Sequence, residues 1–229
     1  MEDLNDQIQQ RLKKLDLLRG MGINPFGDRF ETADCAGDLI AAHGSSTKEA
    51  LEQHPVPATL AGRITIMRRF GKAAFASVQD GVDSIQVYLK KDVLGDQGFA
   101  LAELLDIGDW IGVSGPLFRT KTNELTIEAK QLTFLCKALR PLPEKWHGLT
   151  DVETRYRQRA VDLVANPDVK RIFVTRSTII QAIRTFLVGK GFLEVETPMM
   201  HPIPGGATAR PFMTHHNALN TDLYLRVAP

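Results

Sequence analysis

Cysteine is nearly absent from this chain: Cys35 and Cys136 are the only two among 229 residues, far apart and without Cys-x-x-Cys spacing. A disulfide framework or a zinc cluster is thereby excluded, and two reduced, half-buried thiols are expected. Long apolar runs are lacking too, since no stretch approaches the ~18 uninterrupted residues of a membrane span. The start, Met1-Glu2-Asp3, has neither the basic nor the apolar region of a secretory signal. No membrane contact and a cytoplasmic location are the expectation. An excess of one charge is missing as well, with 28 Lys+Arg against 27 Asp+Glu, which argues against general coating of polyanions while leaving room for local basic clusters. Nor is there a phosphate-cradling P-loop, a nucleophile elbow or a metal motif, so no catalytic residue and no metal ligand is assigned. What is present is ordinary globular composition, 43% hydrophobic and 24% charged, enough for one large or two small domains.

Leu4, Ile8, Leu12, Leu15 and Leu18 recur at three- and four-residue spacing before Gly20 and Gly22, which predicts an amphipathic N-terminal helix. Its basic residues Arg11, Lys13, Lys14 and Arg19 read best as a solvated face, with contact to RNA as the alternative. A connector follows, with a short helix expected near 46–53, capped by Ser46 with Glu49 three residues on. Residues 1–57 form this helical extension.

Over 58–140 the pattern changes to short alternating runs, predicting strands at Leu60–Met67, Ala73–Gln79, Ser84–Leu89, Trp110–Leu117 and Glu124–Leu135. The apolar segment Phe99–Leu105 between the third and fourth has helical character. Three strands, a helix and two strands is the order of an OB-fold, a small barrel that binds nucleic acid or oligosaccharide; SH3-like barrels and other small β-domains share much of this pattern. The proline-rich stretch after Leu139 opens a linker over 141–150, and 151–229 turns helical again. Here Thr150 with Glu153 predicts a capping box for one helix through Val164, and Asn166-Pro167 supplies N-cap and first turn of the next. A short strand is expected at Phe192–Val195, then a Gly/Pro-rich loop at 203–207 and a last strand at Leu223–Val227.

Strand parity singles out one chemical constellation. In Ala73–Gln79, Ala74, Ala76 and Val78 share a face, while Phe75 sits opposite with Ser77 and Gln79. In the next strand Gln86, Tyr88 and Lys90 oppose Ile85, Val87 and Leu89. An aromatic on a polar face beside an amide, with Arg63, Arg68, Arg69 and Lys72 nearby, suits unpaired bases: a ring stacks, the amide reads an edge, and cations meet phosphate. The competing reading makes Phe75 ordinary core, with the parity shifted at a bulge. The loop through Gly205-Gly206-Ala207 to Arg210 could close on a small anionic or zwitterionic ligand, though a plain surface loop accounts for it. His215-His216 read as surface histidines, and Arg155, Arg157 and Arg159 as partners of Glu153 and Asp162.

The string from Lys137 through Leu-Arg-Pro-Leu-Pro-Glu-Lys-Trp-His to Leu149, then Arg155-Tyr156-Arg157-Gln158-Arg159, then Gly191-Phe192-Leu193-Glu194-Val195-Glu196-Thr197-Pro198, closely resembles the class II lysyl-tRNA synthetases. The likeness continues through Pro204-Gly205-Gly206-Ala207, Arg210-Pro211-Phe212 and His215-His216-Asn217, nearly to Pro229, and is weakest over 24–57.

The resemblance implies an α+β chain: an N-terminal helix, a five-stranded OB-fold for the anticodon, and, over 151–229, the start of an antiparallel-sheet synthetase domain. It implies that Phe75 stacks on the central anticodon base, that Gln86 contacts a base edge, and that Glu124 and Arg68 assist. Glu194 and Pro198 fall in a first motif at a homodimer interface, and Gly206 in a loop over bound lysine. The partners implied are lysine tRNA and lysine, and the complete enzyme uses ATP and Mg²⁺. The second and third family motifs, which carry most ligands for ATP and Mg²⁺, are absent from these residues, so the expectation is a truncated N-terminal portion without activity of its own. A non-catalytic tRNA-binding module or a truncated fragment is the alternative.

Overall fold

The computed structural model describes residues 2–27, 29–81, 83–143, 149–206 and 208–227. They fall into two units, Met1–Arg157 and Gln158–Pro229. Residues 144–148 of the expected linker lie outside the described residues.

In the first unit, α1 (Glu2–Gly20), α2 (Ala36–His43) and α3 (Lys48–Gln53) precede β1 (Pro57–Phe70), β2 (Ala73–Gln79) and β3 (Ser84–Lys90). After these come α4 (Lys91–Leu104), β4 (Trp110–Arg119), β5 (Leu125–Glu128), β6 (Gln131–Cys136) and α5 (Val152–Arg157). The strands run in the order β1-β2-β3-β5-β4, and β4 returns to pair with β1, closing a ring of five. Every pairing in the ring is antiparallel except β3 with β5, where Gln86 faces Thr126 and Tyr88 faces Glu128. This is the closed barrel of an OB-fold, and closure leaves no open sheet edge in the ring. Alternation dictates its interior: Leu60, Ile64, Val78, Val87, Leu89 and Ile111 are fully enclosed, each burial stabilising by about 1.5–3 kcal/mol.

The fifth strand, expected as one run over Glu124–Leu135, is one path with a break between β5 and β6. Gly115 of β4 faces the break. A Cβ there would lie 1.8 Å from the Glu128 carbonyl oxygen, so only glycine lets β4 pass from β6 to β5. Helix α4 starts earlier than its apolar segment, at Lys91, and kinks at Gly95, where φ is +71°.

Of the basic residues of α1, Lys13 and Arg19 are exposed as expected, while Arg11 and Lys14 are not. Arg11 is buried on the same face as Leu15 and Leu18, donating to the carbonyls of Ala138 (2.6 Å) and Ile107 (3.0 Å). Lys14 pairs with Asp106 at 2.5 Å. Beneath them Lys137, its side chain wholly enclosed, lies 2.6 Å from Asp106 and 2.7 Å from Asp109. The buried Asp109 also accepts from the backbone amides of Asp106 (2.7 Å) and Ala138 (2.8 Å). Hydrophobic periodicity counts charged residues as outward-facing; here carbonyls and carboxylates on the barrel supply them with partners. Burial pushes the Asp106 carboxyl up, but hydrogen bonds and charges from Lys137 and Lys14 outweigh it and hold the group below its ordinary value.

Two caps shift by one residue. Thr47, not Ser46, caps α3, accepting from the Ala50 amide. Asp151, not Thr150, caps α5, accepting from the amide (2.8 Å) and hydroxyl (2.5 Å) of Thr154. The single helix expected through Val164 is two, because Gln158 has non-helical backbone. Cys35 is exposed rather than half-buried, and Cys136 is partly buried; both are free.

The second unit holds α6 (Arg159–Ala165), α7 (Pro167–Gly189), and β7 (Met200–His201), β8 (Met213–His216) and β9 (Thr221–Leu225) in an antiparallel sheet ordered β7-β9-β8. Residues 192–198 have no ladder partner among the described residues, so the strand expected at Phe192–Val195 does not form there. On α7, Ile172, Ile179, Ile183 and Phe186 are all more than half exposed. Asp168–Gly189 is long and apolar enough to cross a membrane by length and composition, although Arg176 and Arg184 interrupt the apolar run.

Two outcomes follow from the charge cluster. Asp109→Ala leaves Lys137 buried without one of its counter-charges and lowers stability by about 3–5 kcal/mol, read from urea unfolding. Because the folded value of Asp106 lies below its unfolded one, its contribution is complete at neutral pH. It is lost as the pH falls from about 4 through the lower folded value; unfolding midpoints at pH 7, 5 and 3 measure the loss, and Asp106→Asn flattens it.

Candidate nucleic-acid interface

Strand β2 sends Ala74, Ala76 and Val78 into the barrel and leaves Phe75, Ser77 and Gln79 half-exposed; β3 does the same with Ile85, Val87 and Leu89 against Gln86, Tyr88 and Lys90. The bulge in this region lies in β1 between Ile64 and Ile66 and leaves the parity of β2 intact. Antiparallel register then sets Phe75 opposite Tyr88 and Ser77 opposite Gln86. The Phe75 and Tyr88 rings stack with centroids 4.6 Å apart and planes 25° from parallel. Phe70 meets the edge of Phe75 at 6.3 Å, and Phe118 tilts against Tyr88 at 5.9 Å. Four rings thus form a strip across the outside of the barrel.

Parallel pairing of β3 with β5 completes the polar part. It brings Gln86 beside Thr126, and with Thr126 comes Glu124, 38 residues from Gln86 in sequence. The Gln86 Nε2 amide donates to Glu124 Oε2 at 2.7 Å, and the Thr126 hydroxyl donates to Gln86 Oε1 at 2.8 Å. Gln86 is half-buried, Glu124 exposed and Thr126 fully buried. Arg68 lies opposite Phe75 on β1, exposed at the end of the ring strip. The other nearby cations divide. Lys72 is exposed, whereas Arg63 donates to the Gly108 carbonyl and covers the Trp110 ring, and Arg69 donates to the Leu105 carbonyl. Lys90 pairs with Asp92, whose hydrogen bond and charge hold the ammonium above its ordinary value.

Phe75, Gln86, Arg68 and Glu124 therefore converge on one barrel face. Glu194, Pro198 and Gly206 lie in the second unit. Arg184 meets Glu194 through Nε at 2.6 and 2.9 Å, a hydrogen bond and charge that push the guanidinium further up. Pro198 is exposed in the irregular segment after α7, and Gly206 lies between β7 and β8 with φ +104°, while Ala207 lies outside the described residues. His215 bonds Asp222 at 2.8 Å and His216 accepts from the Leu219 amide, both exposed. Arg157 pairs with Glu153, and Arg159 with Asp162.

The face contains residues that sequence reasoning did not select. Tyr88 was legible from parity alone. Phe118 lies one residue past the expected end of its strand, and Thr126 gains its place only through a parallel pairing that strand order does not reveal locally.

Residues 58–135 match the family described as OB-fold nucleic acid binding domain, and residues 151–229 the one described as tRNA synthetases class II (D, K and N). The lysine–tRNA ligase of Bacillus subtilis (strain 168) is 53% identical over 227 residues, 99% of this chain and 46% of that protein. Over nearly its whole length the chain is similar to that lysine–tRNA ligase. The lysine–tRNA ligase of Pelotomaculum thermopropionicum is 54% identical over 228 residues, covering 100% of this chain and 44% of its own length. That of Anaeromyxobacter dehalogenans is 55% identical over 223 residues, 96% of this chain and 44% of its own. The chain thus spans just under half the length of these lysine–tRNA ligases.

A double-mutant cycle on Phe75 and Tyr88, each replaced by Ala, will give a coupling of about 0.5–1.5 kcal/mol in thermal or urea unfolding, as expected for rings in contact.

Proposed function

We propose that the outer face of the barrel binds the anticodon of lysine tRNA, and that the chain serves this role within a lysine–tRNA ligase that activates lysine with ATP and charges its tRNA. The observation that carries the reading is the stacked Phe75–Tyr88 pair beside the hydrogen-bonded Gln86–Glu124 pair on an accessible barrel face. Phe75 offers a ring to the central base; Gln86 and Glu124 offer donor and acceptor groups to a base edge; Arg68 answers phosphate. In the second unit, the backbone at Gly206 is the proposed lysine contact, and Glu194 with Pro198 the proposed homodimer segment. The setting is the cytoplasm.

The proposed ligase reaction uses ATP and Mg²⁺. Mg²⁺ takes near-octahedral oxygen ligands from carboxylates, phosphates and water. Among the described residues no three His, Cys, Asp or Glu side chains gather where they could hold a metal. The described residues therefore offer no protein cage of three or more ligands for the ion.

The test is a fluorescence titration of the chain with an anticodon stem-loop of lysine tRNA over a salt series. Affinity falls as salt rises, as phosphate contacts require, and Phe75→Ala weakens binding by about 1–3 kcal/mol. Full affinity in Phe75→Ala overturns the assignment. In parallel, the 229-residue chain supplied with lysine, ATP and Mg²⁺ is expected to show no pyrophosphate exchange; exchange would place the chemistry within these residues.

A further inference from the structure

We infer that Phe70 is a further stacking platform, taking the unpaired base next in the RNA strand to the one on Phe75. The inference rests on the anticodon reading above and adds a base subsite at the end of the ring strip.

Register puts Phe70 there. Arg68 pairs with Phe75 and Phe70 with Ala73, which sets Phe70 two residues from Arg68 on the same outer face of β1, one diagonal step from Phe75. Across the ladder Ala73 offers only a methyl group, so no large side chain on β2 stands directly opposite the ring. Phe70 is accordingly 61% exposed, whereas Phe75, Tyr88 and Phe118 are half-buried. Phe75 and Tyr88 cover each other by stacking. Among the described residues no ring stacks on Phe70: its ring contact is with Phe75, at 6.3 Å and with the planes 72° apart. The mounting is firm, because Phe70 and Ala73 close a two-residue turn, Gly71-Lys72, in which Gly71 takes a φ of +56°. A ring held by the ladder loses little freedom when a base settles on it.

Charge names the occupant. Arg68 and Lys72, two residues before and after Phe70, are exposed, and among the described residues neither has a carboxylate partner. An apolar protein side chain seated on the ring would leave both cations idle. A nucleotide brings a base for the ring and a phosphate on each side for the cations. With the two rings 72° apart, a base on Phe70 and a base on Phe75 cannot stack on one another, so the strand turns between these nucleotides and presents each base separately. Stacking tolerates any base; Phe70 therefore adds affinity and leaves reading of the edge to Gln86 and Glu124.

The experiment titrates the full chain with anticodon stem-loops of lysine tRNA in which each loop base in turn is replaced by an abasic sugar. In the wild type, loss of the base on Phe75 and loss of one of its two neighbours are each expected to weaken binding by roughly five- to tenfold. Phe75→Ala removes the first of these penalties. Phe70→Leu, which keeps an apolar side chain and gives up the flat ring, removes the second and keeps the first, and the retained first penalty is the control for folding; Phe70→Tyr keeps both. Penalties unchanged in Phe70→Leu overturn the inference, and so does a change confined to the base on Phe75, since Phe70 would then only brace that ring. Either result leaves anticodon binding standing. Failure of the wild type to bind, or of every base to respond to Phe75→Ala, overturns the anticodon reading and this inference together. A second measurement does not depend on Phe70→Leu. In protein labelled at phenylalanine, the Phe70 ring signals, identified by their loss in Phe70→Tyr, are expected to shift upfield on binding the intact stem-loop and to stay in place when the neighbouring base is abasic; signals that never move, or that move equally with both RNAs, overturn the inference.

Discussion

Parallel pairing between β3 and β5 is the contact on which the barrel and its outer face both depend. Without it the ring would open into a single sheet, β3-β2-β1-β4-β5, with β3 and β5 as edges of unpaired amides and carbonyls. With it, residues from distant parts of the chain come into one row: Ser77, Gln86, Thr126 and Phe118 are successive neighbours across β2, β3, β5 and β4. Closure is also what makes Gly115 necessary, since the path that serves β3 on one side must approach β4 closely on the other. A constraint of backbone geometry therefore sets the position of a side-chain amide.

A second set of interactions joins elements that share little apolar surface. Helix α1 contributes two leucines to its contact with the barrel, and Arg11 and Lys14 do the rest by meeting carbonyls and carboxylates around Asp106, Asp109 and Lys137. Buried ion pairs add little net energy relative to apolar packing. Their geometry is demanding, however, and a helix held by directed hydrogen bonds has one register where a helix held by leucines alone could slide.

The sequence was most informative where one physical effect acts alone. Alternation between Ala or Val and Phe, Ser or Gln gave β2 its limits and its faces, because an interior that excludes polar groups leaves a strand only one parity. Arg11 was misplaced for the complementary reason: a cation looks like solvent-facing surface until the carbonyls that receive it are known, and those come from residues about a hundred positions away. Spacing points to Ser46 and Thr150 as caps, whereas Thr47 and Asp151, one residue on, accept the amides of Ala50 and Thr154. At the candidate interface, the polar half of the strip needed the register of a pairing between strands separated by a helix; Phe75, Gln86 and Tyr88 were readable, and Thr126 was not.

Lys137 carries a consequence for chemistry rather than for stability. Its amine is wholly enclosed between Asp106 and Asp109 beneath α1, so an acylating reagent in solution cannot reach it while the helix is seated. Most other lysines, such as Lys13, Lys72 and Lys121, are at the surface and react at once. The slow labelling of this single amine is therefore a clock built into the protein, timing the opening of the N-terminal helix against the barrel with no probe attached to either.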